Sequence, residues 1–229
     1  MSKIKKDRRV LVVAAHPDDE MLGCGGTIAK FSKKKCKIFS LFFTDGISAR
    51  ENNKRKDINQ RKINSLKALK ILGIKQSKFL SYPDNALDKV PLIKITKEIE
   101  KVIMKFKPHT IFTHSDVDLN IDHEIISRAV VTATRPKPNF CVKNIFLFET
   151  LSSTEWNFNL KKKSFNPNYF IDITKTIKKK IQAARVYKQE ISTWPHPRSI
   201  NGIKNLAKYR GQSVGVKFAE AFFALRQVK

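Results

Sequence analysis

The sequence predicts an α/β domain, a mostly parallel sheet with helices packed on it. Two observations carry this expectation. Short apolar runs alternate with helical patterns over the first two-thirds of the chain, the order that produces a helix-covered parallel sheet. Charged residues gather where the first of those runs ends, and in open α/β sheets that edge is where ligands bind. The 229 residues suffice for one domain with a sizeable core, so a single domain over 1–229 is expected.

The elements follow in order. Residues 10–15 contain Val10-Leu11-Val12-Val13-Ala14, a continuous apolar run of the kind found in buried strands. Ala15-His16-Pro17-Asp18-Asp19-Glu20 comes next, placing one imidazole and three carboxylates at the strand end. Burying unpaired carboxylates is costly, and a divalent metal accounts for them. The small residues Gly23-Cys24-Gly25-Gly26-Thr27 then open a helical pattern. Further strands are expected at 37–43, 79–81, 110–113 and 144–148. Segment 44–57 is polar and reads as a loop beside the site, a candidate substrate lid. The clearest helix is 92–106, with Leu92, Ile95, Ile99, Val102, Ile103 and Phe106 on one core-facing side. Another follows His123 and carries Ile125, Ile126, Ala129, Val130 and Ala133. Residues 151–168 are loop-rich, with Trp156, Phe158 and Phe165, and helix returns at 174–187 with Ile177, Ile181 and Ala184 on one face. The C-terminal third is expected to pack on the same sheet and close the pocket. Glycines at 23, 25 and 26 match the dinucleotide fingerprint poorly, which argues against such a cofactor.

Hydrolytic zinc sites typically take three protein ligands and leave one position for water. His16 and Asp19 are two candidates, with Pro17 stiffening the turn between them. The best third candidate is His123, in the stretch Thr113-His114-Ser115-Asp116-Val117-Asp118-Leu119-Asn120-Ile121-Asp122-His123-Glu124. That stretch forms a second strand-to-helix junction, able to face the first across the sheet edge.

The Ala-His-Pro-Asp-Asp-Glu segment and the downstream Asp122-His123 pair resemble those of the PIG-L / LmbE-like zinc N-deacetylases. Phe43-Thr44-Asp45-Gly46, Leu72-Gly73-Ile74 and Tyr82-Pro83-Asp84-Asn85 extend the resemblance. So do Trp194-Pro195-His196-Pro197-Arg198-Ser199, Tyr209-Arg210-Gly211 and Ala219-Glu220-Ala221-Phe222, which resemble a subgroup of bacterial members. The resemblance implies a Rossmann-like three-layer sandwich that removes an N-acetyl group from an amino sugar, free or linked to a nucleotide or lipid, in glycan biosynthesis. It implies that His16, Asp19 and His123 bind Zn2+ and that Asp18 is the general base. Many members carry a His three residues before the last ligand, where this chain has Asn120. Asn120 or His196 is expected to serve the oxyanion in its place; the Pro-His-Pro setting of His196 is equally that of a rigid surface turn. Asp45, Arg61, His114 and Asp118 are expected at the substrate. For Asp45 the alternative is a turn residue before Gly46, and for Arg61 a solvated helix position.

Lys and Arg number 46 against 20 Asp and Glu, a net charge of +26. The basic residues are spread along the chain, with neither zinc-finger spacing nor an aromatic RNA-binding motif, so no specific nucleic-acid partner is expected. A solvated basic surface is the favoured reading, and attraction to an anionic substrate or an acidic membrane surface the alternative. Cys24, Cys36 and Cys141 fit no disulfide framework and suit a reducing cytoplasm. The basic residues 1–9 precede an apolar run shorter than a signal-peptide core, and no stretch reaches transmembrane length. A cytoplasmic protein is expected, with peripheral contact at the inner membrane surface left open. Two other function classes also stay open: deacylation of a non-sugar amide, and a basic binding protein without turnover. Two His and a carboxylate would likewise suit Fe2+.

Overall fold

A computed structural model describes residues 9–49, 55–137, 142–158 and 164–228. The basic leader before Arg9, part of the expected lid (50–54), Cys141 and part of the 151–168 loop (159–163) lie outside the described residues. The chain runs β1 (Arg9–Ala14), α1 (Asp19–Lys33), β2 (Lys37–Phe42), α2 (Arg55–Leu72), β3 (Gln76–Phe79), α3 (Leu92–Phe106), β4 (Thr110–His114), α4 (Ile121–Ala133), β5 (Asn144–Phe148), β6 (Tyr169–Asp172), α5 (Ile177–Ala184), α6 (Ile200–Gln212) and β7 (Ala219–Gln227).

The seven strands form one sheet in the order β3-β2-β1-β4-β5-β7-β6. The first five pair in parallel, and β7 runs antiparallel to both β5 and β6. Alternation along β1 divides the core. Val10, Val12 and Ala14 face one cluster, shared with α1, α2, α5 and α6. Leu11, Val13 and Ala15 face the other, shared with α3 and α4. The result is the three-layer sandwich expected from the sequence. The chain steps from β1 outward to β3, then returns to lay β4 on the other side of β1. The C-terminal ends of β1 and β4 thus flank the point where strand order reverses, the crevice such sheets use for ligands.

Three expectations need correction. The third strand lies at 76–79, before the expected 79–81, because Gln76, Ser77 and Lys78 form an edge strand with half its side chains in water. Helix α1 starts at Asp19, so the small-residue segment falls inside it. The two antiparallel strands, β6 and β7, were not legible: Ala219-Glu220-Ala221 has no strand propensity and is held extended by pairing with β6.

Helix α1 is broken at Cys24 (φ −142°, ψ 20°). The break leaves backbone groups without helical partners, and a buried ion pair supplies them. The carboxylate of Glu220 accepts from the N–H groups of Gly26 (2.8 Å) and Thr27 (2.7 Å). The ammonium of Lys180 donates to the Leu22 carbonyl (2.7 Å) and to Glu220 (2.6 Å). Negative charge therefore meets the start of the second half-helix and positive charge the end of the first, as the helix dipole favours. Gly23 is required just before the break, since a Cβ there would lie 2.2 Å from the Phe148 ring.

Among the described residues, no helix is long and apolar enough to cross a membrane.

Candidate metal centre

The turn after β1 places His16, Asp18 and Asp19 at the mouth of the crevice. The backbone N–H of His16 donates to Asp19 Oδ2 (2.8 Å), folding the segment back on itself. Asp18 takes φ 131°, a region that L-residues rarely adopt. Its neighbours hold it there. Its N–H donates to Glu20 Oε2 (3.0 Å), and its carbonyl accepts from Met21 and Leu22. Tyr187 donates to the other oxygen of Glu20 (3.0 Å), and burial with the nearby Asp18 charge pushes Glu20 up to about 8.

From the other side, α4 brings in His123. Asn120 caps this helix, its side-chain oxygen accepting from the Asp122 N–H (2.9 Å). Three donor atoms then meet. His16 Nδ1 lies 3.2 Å from Asp19 Oδ2 and 3.2 Å from His123 Nε2, and the last two are 3.4 Å apart. Donors about 2.0–2.1 Å from a tetrahedral zinc ion sit about 3.3 Å from one another. The residues therefore fit a divalent metal. Asp19 Oδ1, buried without a hydrogen-bond partner, is a further observation that suits one.

The outward nitrogen of each imidazole meets a carboxylate. His16 Nε2 is 3.2 Å from Asp122 Oδ2 and 3.3 Å from Asp84 Oδ1. His123 Nδ1 is 3.0 Å from Asp118 Oδ1. Such outer carboxylates fix the ring orientation of metal-binding histidines and raise their basicity. Asp122 is itself locked by the N–H groups of Asn85 (2.8 Å) and Leu87 (3.0 Å). Asp118 is held by the hydroxyls of Ser153 and Thr154. Burial alone would raise Asp118, but the imidazole and these hydroxyls hold it at about 2.

His114 and Asp118, expected at the substrate, are instead fully buried beneath the His123 ring. His114 stacks on that ring (centroids 3.8 Å apart) and accepts from the Ala15 N–H at 3.0 Å. Burial and the neighbouring His123 push it down to about 4, so it is neutral at physiological pH.

Arg61 is buried rather than solvated. Its Nη2 lies 3.2 Å from Asp18 Oδ1, and its Nη1 pairs with Glu190. Gly46 (φ 71°) lets the loop pass over it, since a Cβ there would come within 2.9 Å of the guanidinium. Asp45 caps its own loop through the N–H groups of Ile47 (2.9 Å) and Ser48 (2.8 Å). Asn120 is committed likewise, its amide nitrogen donating to Asn85 Oδ1 (3.0 Å).

The loop expected to deliver His196 delivers a different side chain. His196 Nδ1 accepts from the Arg198 N–H (3.1 Å), and its ring meets Trp156 edge-on. Among the described residues it has no hydrogen bond or ion pair to the three donors. Arg198 reaches instead, its Nη1 donating to Asp18 Oδ2 at 3.1 Å. Asp18 is thus gripped by two guanidiniums. Burial raises its pKa, and both arginines oppose that rise. Asp84, Asp122, Glu190 and Arg198 were given no role from sequence; each is distant in the chain from the residue it serves.

The family profile described as PIG-L, GlcNAc-PI de-N-acetylase, matches residues 11–134. An uncharacterized deacetylase of Escherichia coli K12, YaiS, is 30% identical over 60% of this chain and 74% of its own. The diacetylchitobiose deacetylase of Thermococcus kodakarensis is 26% identical over 93% of this chain and 81% of its own. In structure, the N,N'-diacetylchitobiose deacetylase of Pyrococcus horikoshii superposes with a TM-score of 0.78 at 22% identity, covering 96% of this chain and 84% of that one. The matched stretch contains both metal-facing turns, from the His16 loop to the His123 helix, and the chain belongs to the PIG-L (GlcNAc-PI de-N-acetylase) family.

Proposed function

We propose that this protein is a zinc-dependent amide hydrolase that removes the N-acetyl group of an amino sugar. The observation that carries the reading is the triangle of His16, Asp19 and His123 set beside the buried carboxylate of Asp18. A divalent ion held by that triangle supplies Lewis acidity to an acyl carbonyl and acidifies water. Two imidazoles and one carboxylate suit zinc, and the same set suits ferrous iron. The amino-sugar substrate is supported by the family description and by the diacetylchitobiose deacetylase the chain resembles.

Asp18 is the base. Its carboxylate takes a proton from the attacking water as the water oxygen bonds to the acyl carbon. It returns that proton to the amine nitrogen as the C–N bond breaks; acetic acid and the free amine leave, and the acid gives up its remaining proton to solvent as acetate. Burial favours the protonated form of Asp18 midway, while Arg61 and Arg198 favour the carboxylate at the start and end. The two arginines also fix its direction. Arg198, held to the Leu151 carbonyl (3.2 Å), places a cation on Asp18, whereas the side chains of His196 and Asn120 are committed to Arg198, Asp122 and Asn85.

The test is acetate release by zinc-loaded protein across free, phosphorylated and nucleotide-linked N-acetylamino sugars, with Asp18→Ala as control. Release that the substitution abolishes supports the reading and ranks the carriers. With zinc bound, silence on every sugar and release from a non-sugar amide would overturn the substrate class.

A further inference from the structure

The opposite end of the sheet carries a cavity of about 810 Å³, at the N-terminal edges of β1, β2 and β3 and beside the last turns of α3. Its size lies within the range of small-molecule sites. Six cations line it: Arg9, Lys37, Lys75, Lys78, Lys101 and Lys105. Among the described residues, no acid is in its lining. Glu98, on the α3 face, accepts from Lys78 (2.8 Å) and Lys101 (2.6 Å), and Arg9 donates to the Phe106 carbonyl (2.9 Å). Lys37, Lys75 and Lys105 are exposed and have no partner among the described residues.

Like charges converging on one concavity repel one another, and an anion relieves that repulsion. The cavity wall is not purely ionic. The half-buried rings of Phe39 and Phe106 lie there with centroids 5.5 Å apart, beside Gln76 and Ser77. Aromatic faces offer a stacking surface to a flat ring, and the two polar side chains offer hydrogen bonds. Three unpartnered ammonium groups suit a chain of phosphates. The rings and the two polar side chains beside the lysines favour a nucleotide over a bare polyanion.

We propose that this cavity binds a nucleoside di- or triphosphate, its phosphates on Lys37, Lys75 and Lys105 and its base against Phe39 and Phe106. The site lies at the far edge of the sheet from His16 and His123 and shares no residue with them. Failure of either reading therefore leaves the other standing.

Calorimetric titration at low salt tests it, with adenosine triphosphate, guanosine triphosphate and inorganic tripolyphosphate as probes. At least one nucleotide is expected to bind at a single site, roughly tenfold or more tighter than tripolyphosphate, because stacking adds to charge. Affinity is expected to fall as salt rises. The triple substitution Lys37→Gln, Lys75→Gln, Lys105→Gln touches only exposed, unpartnered side chains and should weaken nucleotide binding at least tenfold. Phe106→Leu should erase the preference for nucleotide while sparing tripolyphosphate, and that spared binding certifies its fold. Equal affinity for nucleotide and tripolyphosphate overturns the proposal. So does nucleotide binding that the triple variant leaves intact, or no saturable binding to the wild type. Tighter binding to an oligonucleotide or to phosphatidylglycerol vesicles through the same lysines would also overturn it, by assigning the surface to a macromolecule.

Discussion

The two edges of the sheet handle charge in opposite ways. At the C-terminal edge, acids, imidazoles and guanidiniums are buried together, and almost every charge faces an opposite one: Arg61 and Arg198 on Asp18, Asp118 on His123, Asp122 on His16. At the N-terminal edge, lysines stand exposed around a cavity whose described lining holds no acid, and only Lys78 and Lys101 among them pair with the neighbouring Glu98. Charges of the first kind are desolvated, so they interact strongly and removing one partner strands the other. Charges of the second kind are screened by water and salt, so each matters little to the fold. Substitutions at the two edges should therefore differ by orders of magnitude, and that contrast can be broken.

The largest effect is expected at Asp18. Asp18→Asn keeps the shape but loses the proton acceptor and one of the two oxygens that face Arg61 and Arg198, and it should cut the deacetylation rate by about 10²–10⁴-fold. Metal content measured on the same preparation should be unchanged, since Asp18 is outside the donor triangle. A variant that keeps a tenth of wild-type activity would remove Asp18 as the base and shift attention to another carboxylate of the cluster.

Next comes the ion pair that mends the break in α1. Lys180→Met leaves the Glu220 carboxylate buried without its cation, and the Leu22 carbonyl without its donor. A loss of about 3–5 kcal/mol is expected, read as a fall in the urea midpoint. Glu220→Gln should cost less, because an amide oxygen can still accept from one of the N–H groups of Gly26 and Thr27. If the two variants are equally stable, the pair is solvated and the contrast between the edges weakens.

The outer carboxylates should act on the metal more than on the fold. Asp118→Asn keeps a side chain for Ser153 and Thr154 but removes the charge facing His123 Nδ1. Zinc affinity, measured by competition with a chromogenic chelator, should drop roughly 10–100-fold. An unchanged affinity would mean that stacking on His114 alone orients the ring.

How much of this was legible in the chain follows from which interactions are local. β1, β5 and α3 were read nearly to the residue because their patterns arise from their own burial. β7 was missed because its Ala-rich start is extended only by pairing with β6. The candidate donors were found because two of them sit within one turn, and His123 heads a helix with a clear apolar face. Arg198 was overlooked for His196, two residues earlier, because an imidazole looks chemical and an arginine among so many cations does not. Its role depends on where a loop from the far end of the chain comes to rest, which no local pattern encodes. Asp45 and Asp118 were expected at the substrate and Asn120 at the oxyanion, but each spends its side chain on a cap or a support, a distinction that needs the partners in view.

The smallest effect is expected at the cationic cavity, and it sharpens the comparison from the other side. Replacing Lys37, Lys75 and Lys105 together by Gln should leave deacetylation unchanged and shift stability by no more than about 0.5 kcal/mol per site. The sign is set by repulsion: removing like charges from one concavity should stabilise the protein slightly at low salt, and the gain should vanish near about 1 M salt, where the screening length falls to about 3 Å. Melting temperatures of wild type and triple variant, compared across that salt range, check it. A destabilised triple variant at every salt concentration would mean that the lysine stems, not their charges, hold that edge together, and the two edges would then differ in exposure but not in how their charges contribute.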